Sequence, residues 1–132
     1  MAQHNEVGKL GEDLACKWLE SQGFRVFDRN YKAERAEVDI VAYWENPSNP
    51  AATAELHFVE VKTLSTSRFT NPENAVDSAK LRNMAKVAQF YCWERQLHNI
   101  PAVFDVISVV LEDPSNPEIT HFEDAWRPET KY

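Results

Sequence analysis

Two acidic residues and one lysine lie on neighbouring predicted strands in a pattern that suits metal-assisted phosphate chemistry. Asp39 lies in AEVDIVAYW, and Glu60 and Lys62 lie in HFVEVKTL. Side chains alternate along a strand, so Glu60 and Lys62 share a face about 7 Å apart. Carboxylates on paired strands can approach to about 5 Å, and Mg²⁺ removes their repulsion because it binds carboxylate and phosphate oxygens. A neighbouring lysine would hold the attacking water or neutralise charge developing on the phosphate. The alternative is an exposed strand face with an ordinary ion pair.

A fourth candidate, Glu12, lies on the first predicted helix, which spans about residues 5–21. Glu12 falls at the edge of the apolar arc, beside Gly8 and Ala15, and small residues there would let the helix approach another element closely. The alternative is a boundary glutamate that reaches water. Gly23 is placed as a C-cap. The predicted apolar arc of this helix contains Val7, Leu10, Leu14 and Trp18, and it is extended by Gly8, Gly11, Ala15 and Leu19.

The remaining pattern predicts five strands and a second helix in the order helix, three strands, helix, strand, short strand. Strands two and three are predicted to form an antiparallel hairpin, and the strand after the second helix is expected to pair in parallel through a crossover. Val38, Ile40 and Ala42 are expected to share one strand face. The fold class is therefore α/β, with a mixed sheet flanked by helices. The predicted ranges are strands 24–31, 36–44, 55–64, 102–111 and 118–126, with the second helix over 77–97.

Composition narrows the class of protein. The chain of 132 residues is expected to form one domain over 1–132, and its 43% hydrophobic content argues against disorder. The net charge of −7 argues against a simple basic nucleic-acid binder. The absence of a signal sequence or a long apolar run predicts a cytoplasmic protein with no membrane association. A bound cation can reverse the local field of an acidic site, so the acidity does not exclude phosphate binding.

The positions of the cysteines and histidines in the sequence indicate no disulfide, metal site or nucleophile. Cys16 and Cys92 are far apart and are expected to be free thiols. The four histidines (His4, His57, His98 and His121) are scattered along the chain, so no histidine metal site and no Cys/His nucleophile is expected. Asp105 lies in an otherwise apolar strand, and either a structural role or support of Lys62 remains open.

The chain resembles the PD-(D/E)xK nuclease-like superfamily. Within it, the chain looks like the YraN-type family of small bacterial predicted endonucleases, which is distantly similar to archaeal Holliday junction resolvases. The resemblance covers about residues 8–125. The matching stretches are GKLGEDLA at 8–15, RNY at 29–31, AEVDIVA at 36–42, FVEVKT at 58–63, KLR at 80–82 and FDV at 104–106.

This resemblance implies a three-layer, restriction-endonuclease-like core and metal-dependent hydrolysis of DNA phosphodiester bonds, with branched or junction DNA as one substrate class. It implies Asp39, Glu60 and the Val61 carbonyl as ligands of Mg²⁺ or Mn²⁺. Lys62 matches the catalytic lysine, and Glu12 matches the helix carboxylate. A homodimer is plausible because a junction has two-fold symmetry.

Phosphate-binding residues are predicted around this site, and the family pattern is incomplete among its arginines. The predicted phosphate contacts are Arg29, Arg68, Lys80 and Arg82, with plain surface charges as the alternative. The family often carries arginines where this chain has Leu64 and Val103, and Ala36 replaces a usual glycine. Two alternatives therefore stay open: a non-catalytic nucleic-acid or protein binding module that keeps the nuclease fold, and an unrelated α/β interaction domain.

Overall fold

A computed structural model describes the backbone of residues 2–49, 53–65 and 78–127, and the side chains of 6–49, 53–65 and 82–127. The described residues form two helices and five strands, close to the predicted bounds. The elements are α1 (Ala2–Ser21), β1 (Arg25–Ala33), β2 (Ala36–Trp44), β3 (Glu55–Leu64), α2 (Ser78–Arg95), β4 (Ala102–Val110) and β5 (Glu118–Trp126).

The five strands form one mixed sheet in which spatial order follows chain order, β1-β2-β3-β4-β5. β3 and β4 are parallel, and every other neighbouring pair is antiparallel. The parallel pair requires a crossover, which α2 supplies. The predicted hairpin and the predicted crossover are therefore confirmed, and the α/β fold is consistent with a restriction-endonuclease-like core.

Each sheet face carries its own apolar core, because the strands are apolar on both sides. The core beneath α2 contains Val41, Phe58 and Tyr91, and the core beneath α1 contains Ile40, Val59 and Ile107. Five of the ten residues of the central strand β3 are buried, and the other five are partly buried. Two-sided burial is what strands between two helical layers require. The predicted arrangement of a sheet flanked by helices is confirmed.

Helix α1 lies on the sheet through its small residues. Gly11 is buried, and Ala15 and Leu19 are fully buried, whereas Val7 and Leu10 are 47% and 44% exposed. The predicted apolar arc is therefore confirmed at Gly11, Ala15 and Leu19 and was wrong at Val7 and Leu10. Small side chains let the helix axis approach the sheet, so the buried face of α1 includes Gly11, Ala15 and Leu19. The Gly11 side of the helix therefore faces β3.

The helix ends as predicted at Gly23. This glycine adopts a φ of 93°, which favours glycine over other residues. The Phe24 amide donates a hydrogen bond to the Leu19 carbonyl at 3.0 Å, as in a Schellman cap. The cap turns the chain directly into β1.

The alternation of β2 is interrupted at Asp39. Val38 packs in the core beneath α2, whereas Ile40 and Ala42 pack in the core beneath α1. The prediction that these three share one face was therefore wrong. On β1, the residue opposite Asp39 is Asn30, which has a φ of 53°. Asparagine tolerates this left-handed conformation better than most residues. The alternation of side chains is therefore interrupted in β1 and in β2 at the same level of the sheet.

Candidate active site and a histidine cluster

The predicted catalytic residues line one open cleft at the end of β3. The cleft has a volume of about 360 Å³. It lies between the N-terminal half of α1, the middle of β2 and the second half of β3, so three separate elements contribute to it. Its lining residues are Val7, Gly8, Glu12, Asp39, Glu60, Val61, Lys62 and Thr63. The structure therefore brings together Glu12, Asp39, Glu60, Val61 and Lys62, as the sequence pattern predicted.

Asp39 is fixed where the β2–β3 ladder ends. The last paired residues on this side are Ile40 and Val59. Beyond them, the Val61 amide donates a 2.8 Å hydrogen bond to Asp39 Oδ2 instead of to a backbone carbonyl. The phase change in β2 turns the Asp39 side chain into this gap. The carboxylate is thereby held against the β3 backbone beside Glu60 and Lys62.

Glu60 and Lys62 form the β3 wall of the cleft. The Glu60 side chain is only 4% exposed, whereas the Lys62 side chain is 27% exposed. Lys62 Nζ lies 3.9 Å from Glu60 Oε1. A buried carboxylate is costly unless a positive charge or hydrogen-bond donors accompany it, and Lys62 provides part of that compensation. The more exposed ammonium is placed to meet a ligand that enters from solvent.

Glu12 completes the cleft from the helix side. Burial raises the pKa of Glu12 above 4.5, and the nearby Asp39 carboxylate raises it further. A hydrogen bond from Asn30 and the Arg29 guanidinium oppose this shift without cancelling it. Arg29 lies 3.6 Å from Glu12 and 2.8 Å from Asp13. Glu12 and Asp39 are therefore close enough to repel, which is the electrostatic arrangement that a bound cation relieves.

Gly11 sets the distance between α1 and the β3 wall. A Cβ atom at this position would lie 1.9 Å from Thr63 Oγ1 and 3.0 Å from Thr63 Cβ. The helix backbone therefore packs directly on the Thr63 side chain. The neighbouring Glu12 reaches the cleft because of this close approach.

A second polar cluster, which we call the histidine cluster, joins His57, Asp105 and His121. Asp105 Oδ2 lies 2.6 Å from His57 Nδ1 and 2.7 Å from His121 Nε2. The Asp124 amide donates to Asp105 Oδ1 at 2.9 Å, and Glu55 Oε1 lies 3.0 Å from His57 Nε2. The three ligand atoms lie within 4.8 Å of one another, so the group can bind a metal. The prediction that the histidines form no cluster was wrong.

Strand register explains why the sequence did not reveal the histidine cluster. Val59 pairs with Asp105, and Ile107 pairs with His121, so residues far apart in sequence meet on one face of β3, β4 and β5. Asp124 adopts a φ of 52° where the β4–β5 register shifts. That irregularity aims the Asp124 amide at Asp105. The open question about Asp105 is answered for the described residues: it binds the two histidines.

Charge accompanies burial in the histidine cluster. Burial alone would raise the pKa of Asp105, but hydrogen bonds from His121 and His57 outweigh it and lower the pKa. Burial alone would lower the pKa of His57, but hydrogen bonds to Asp105 and Glu55 outweigh it and raise the pKa. The lowered pKa favours an ionised Asp105 carboxylate, and the raised pKa favours a protonated His57 ring beside it.

Comparison with known proteins identifies the family. The model of the family described as "Uncharacterised protein family UPF0102" matches residues 11–109. The chain belongs to the UPF0102 family. A UPF0102 protein from Bacteroides thetaiotaomicron is 40% identical over 128 residues, covering 97% of this chain and 98% of the relative. A UPF0102 protein from Geobacter sulfurreducens is 36% identical over 126 residues, covering 95% of this chain and 92% of the relative.

The match to the UPF0102 family includes the cleft residues from Glu12 to Thr63; it begins after Val7 and Gly8 and ends before His121. The family description names no substrate and no reaction. Membership of the PD-(D/E)xK superfamily therefore stays a prediction from the motifs. Among the described residues, neither helix has the length and apolarity that a membrane-spanning segment requires.

The structure describes the side chains of two of the four predicted phosphate-binding residues, Arg29 and Arg82. Arg29 forms ion pairs with Glu12 and Asp13, as described above. Arg82 is exposed on α2. Lys80 lies in α2, but its side chain is outside the described residues, and Arg68 lies outside them altogether. Their contact with nucleic acid remains a prediction.

Proposed function

We propose that this UPF0102 protein is a metal-dependent endonuclease that hydrolyses phosphodiester bonds in DNA. The observation that carries the proposal is the convergence of Glu12, Asp39, Glu60 and Lys62 in one cleft from three elements. A strand face with an ordinary ion pair would not require the β2 backbone to change phase at Asp39. Nor would it require a helix carboxylate held beside Asp39 with a raised pKa.

The donor set of the cleft fits a hard divalent cation. Asp39 and Glu60 supply carboxylate oxygens, and the Val61 carbonyl is the third proposed ligand. All-oxygen donor sets of this kind suit Mg²⁺ and Mn²⁺. Three carboxylates face one ammonium in the cleft, so the field there favours a cation. When bound, such a cation polarises the scissile phosphate and lowers the pKa of a coordinated water.

The protein side chains supply the positioning. Lys62 is the more exposed member of the Glu60–Lys62 pair, so its ammonium can orient the attacking water and neutralise charge on the phosphate. The Val61 amide fixes Asp39 through a 2.8 Å hydrogen bond. Glu12 contributes a third carboxylate, whose repulsion with Asp39 would be relieved by the cation. Asn30 orients Glu12 through its hydrogen bond.

The finer substrate assignment rests on the family resemblance. We propose branched or junction DNA as the substrate class and a homodimer as its natural binder, because a junction has two-fold symmetry. Arg82, Lys80 and Arg68 are the proposed phosphate contacts outside the cleft. The proposed compartment is the cytoplasm, where the free thiols Cys16 and Cys92 would stay reduced.

The proposal is tested by cleavage of a labelled DNA panel that contains single strands, duplex, flap and four-way junction. Reactions contain Mg²⁺, Mn²⁺ or EDTA. We expect metal-dependent cleavage by the wild type and loss of at least about 100-fold in rate for Lys62→Ala. Lys17→Ala is the matched control, because Lys17 is an exposed lysine on α1 that does not line the cleft.

Two outcomes would contradict the proposal. Cleavage that survives in Lys62→Ala would point to a contaminating nuclease or another site. Absence of cleavage by folded protein with metal bound would favour the non-catalytic binding module. This module is the second candidate because Leu64 and Val103 stand where the resembled family often carries arginines. In that case, binding of the same panel, measured by fluorescence anisotropy, separates a nucleic-acid module from a protein-binding one.

A further inference from the structure

We propose that His57, Asp105 and His121 bind a divalent transition metal of the Zn²⁺ class, at a site distinct from the carboxylate cleft. The inference does not rest on the proposed nuclease function. His57 precedes Glu60 by three residues on β3, which separates the two sites by roughly 10 Å along the strand. Two imidazoles and one carboxylate favour Zn²⁺, Co²⁺ or Fe²⁺, whereas the all-oxygen cleft favours Mg²⁺.

The spacing of the three ligand atoms suits such an ion. Asp105 Oδ2 is 2.6 Å from His57 Nδ1 and 2.7 Å from His121 Nε2. Ligand atoms of a tetrahedral zinc site, at about 2.0 Å from the metal, lie about 3.3 Å apart. Each contact would therefore open by roughly 0.6 Å. Side-chain rotation is enough for a change of this size, because the ligands come from three adjacent strands of one sheet.

Neighbouring groups hold the ligands as the partners of metal ligands usually do. Glu55 Oε1 lies 3.0 Å from His57 Nε2, so the proton of a neutral His57 can stay on Nε2 while Nδ1 faces the metal. The Asp124 amide holds Asp105 Oδ1 at 2.9 Å and leaves Oδ2 for the ion. With a metal on Nδ1, Glu55 would favour the Nε2–H tautomer of His57, and the Asp124 amide holds the orientation of Asp105.

The histidine cluster opens onto a solvent cleft. The cleft has a volume of about 450 Å³, and both histidines line it together with Glu55, Glu123 and Trp18. The Trp18 Nε1 atom is buried and has no hydrogen-bond acceptor among the described residues. A buried donor without a partner is costly. A metal held by these three residues would take its fourth ligand, a water or small anion, from this cleft, so the site would be of the kind with three protein ligands and one exchangeable ligand.

The test titrates Co²⁺ and Zn²⁺ into chelator-treated full-length protein, with visible absorption as the readout for Co²⁺ and calorimetry for Zn²⁺. We expect one equivalent of tightly bound metal and at least about 100-fold weaker binding in His121→Gln. The control His98→Gln removes an exposed histidine elsewhere and should leave the tight binding unchanged. Asp39→Asn alters the carboxylate cleft, so it separates metal held in that cleft from metal held by the histidine cluster.

Several outcomes overturn the assignment. No binding by the wild type at tens of micromolar metal would show that the cluster is a metal-free hydrogen-bond network. Equal affinity in His121→Gln, or loss of binding in Asp39→Asn alone, would place the metal elsewhere. If His121→Gln fails to fold by circular dichroism, imidazole NMR of the wild type decides the matter. Zn²⁺ should then shift the ring nitrogens of His57 and His121 but not those of His98.

Discussion

Replacing Gly11 by alanine should push α1 away from the sheet. The new Cβ would meet Thr63 Oγ1 at 1.9 Å, Cβ at 3.0 Å and Cγ2 at 3.1 Å. Rotation of the Thr63 side chain can move Oγ1, but its Cβ remains at 3.0 Å in every rotamer. The clash must therefore be relieved by a shift of backbone. Overpacking of this kind costs about 1–3 kcal/mol.

Gly8 provides the matched control on the same helix. A Cβ at Gly8 would have no atom within 4 Å, so Gly8→Ala should stabilise the protein by up to about 1 kcal/mol through helix propensity. The propensity gain is common to both substitutions. The difference in free energy of unfolding between Gly8→Ala and Gly11→Ala therefore isolates the steric cost of about 1–3 kcal/mol. Urea denaturation measures that difference, and thermal melting should show it as about 3–6 °C per kcal/mol.

A double-mutant cycle identifies the contact itself. Thr63→Ala removes the two nearest flexible atoms, so Gly11→Ala should cost less in that background, with a coupling of about 0.5–3 kcal/mol. Two results would refute the reasoning. One is a Gly11→Ala protein as stable as Gly8→Ala. The other is an equal cost of Gly11→Ala with and without Thr63→Ala, because the helix would then not be seated on Thr63.

Three further predictions follow from particular contacts. Glu12→Gln should stabilise the protein in EDTA at neutral pH, because the raised pKa of Glu12 means that the folded state disfavours the charged carboxylate. In urea denaturation, the gain in free energy of unfolding should vanish below pH 4.5. A gain that grows as the pH falls would contradict this explanation. Tyr91→Phe should lower the free energy of unfolding by about 1–3 kcal/mol, because the Tyr91 hydroxyl donates a 2.7 Å hydrogen bond to Asp28. Tyr43→Phe, at a half-exposed tyrosine, is the near-neutral control. Equal losses of stability in the two variants would count against a stabilising Tyr91–Asp28 hydrogen bond. Arg82→Ala should reduce the salt slope of DNA binding by about 1, measured by anisotropy with Ca²⁺; an unchanged slope would remove Arg82 from the interface.

The elements and their order could be predicted from the sequence because each follows a local rule. Apolar alternation in 36–44 and 55–64 identified β2 and β3, and Gly23 marked the end of α1. The hairpin and the crossover then followed from chain order and connection length. The expectation that Asp39 lies near Glu60 and Lys62 followed from the predicted pairing of β2 with β3, whereas the phase change that turns Asp39 into the cleft did not.

What could not be predicted depends on non-local geometry. The phase change at Asp39 involves Asn30 on another strand, and no pattern within β2 reports it. On α1, a wheel ranks positions by hydrophobicity and so favoured Val7 and Leu10, whereas the closeness of Thr63 selected Gly11. The histidine cluster depends on the exact register of three strands, which periodicity does not fix.

The match between chain order and spatial order in the sheet has a consequence for how the protein folds. Three of the four strand pairings join strands that are consecutive in the chain and linked by a short or moderate loop. The pairing of β3 with β4 alone must close across α2, from Leu64 to Ala102. Local pairings form early because their closure costs little entropy, so we expect the β1–β2–β3 meander and the β4–β5 hairpin to form before they dock. The slow step of folding is then the docking of these two units. The hydrogen bonds between β4 and β3, the strand that carries Glu60 and Lys62, therefore form last.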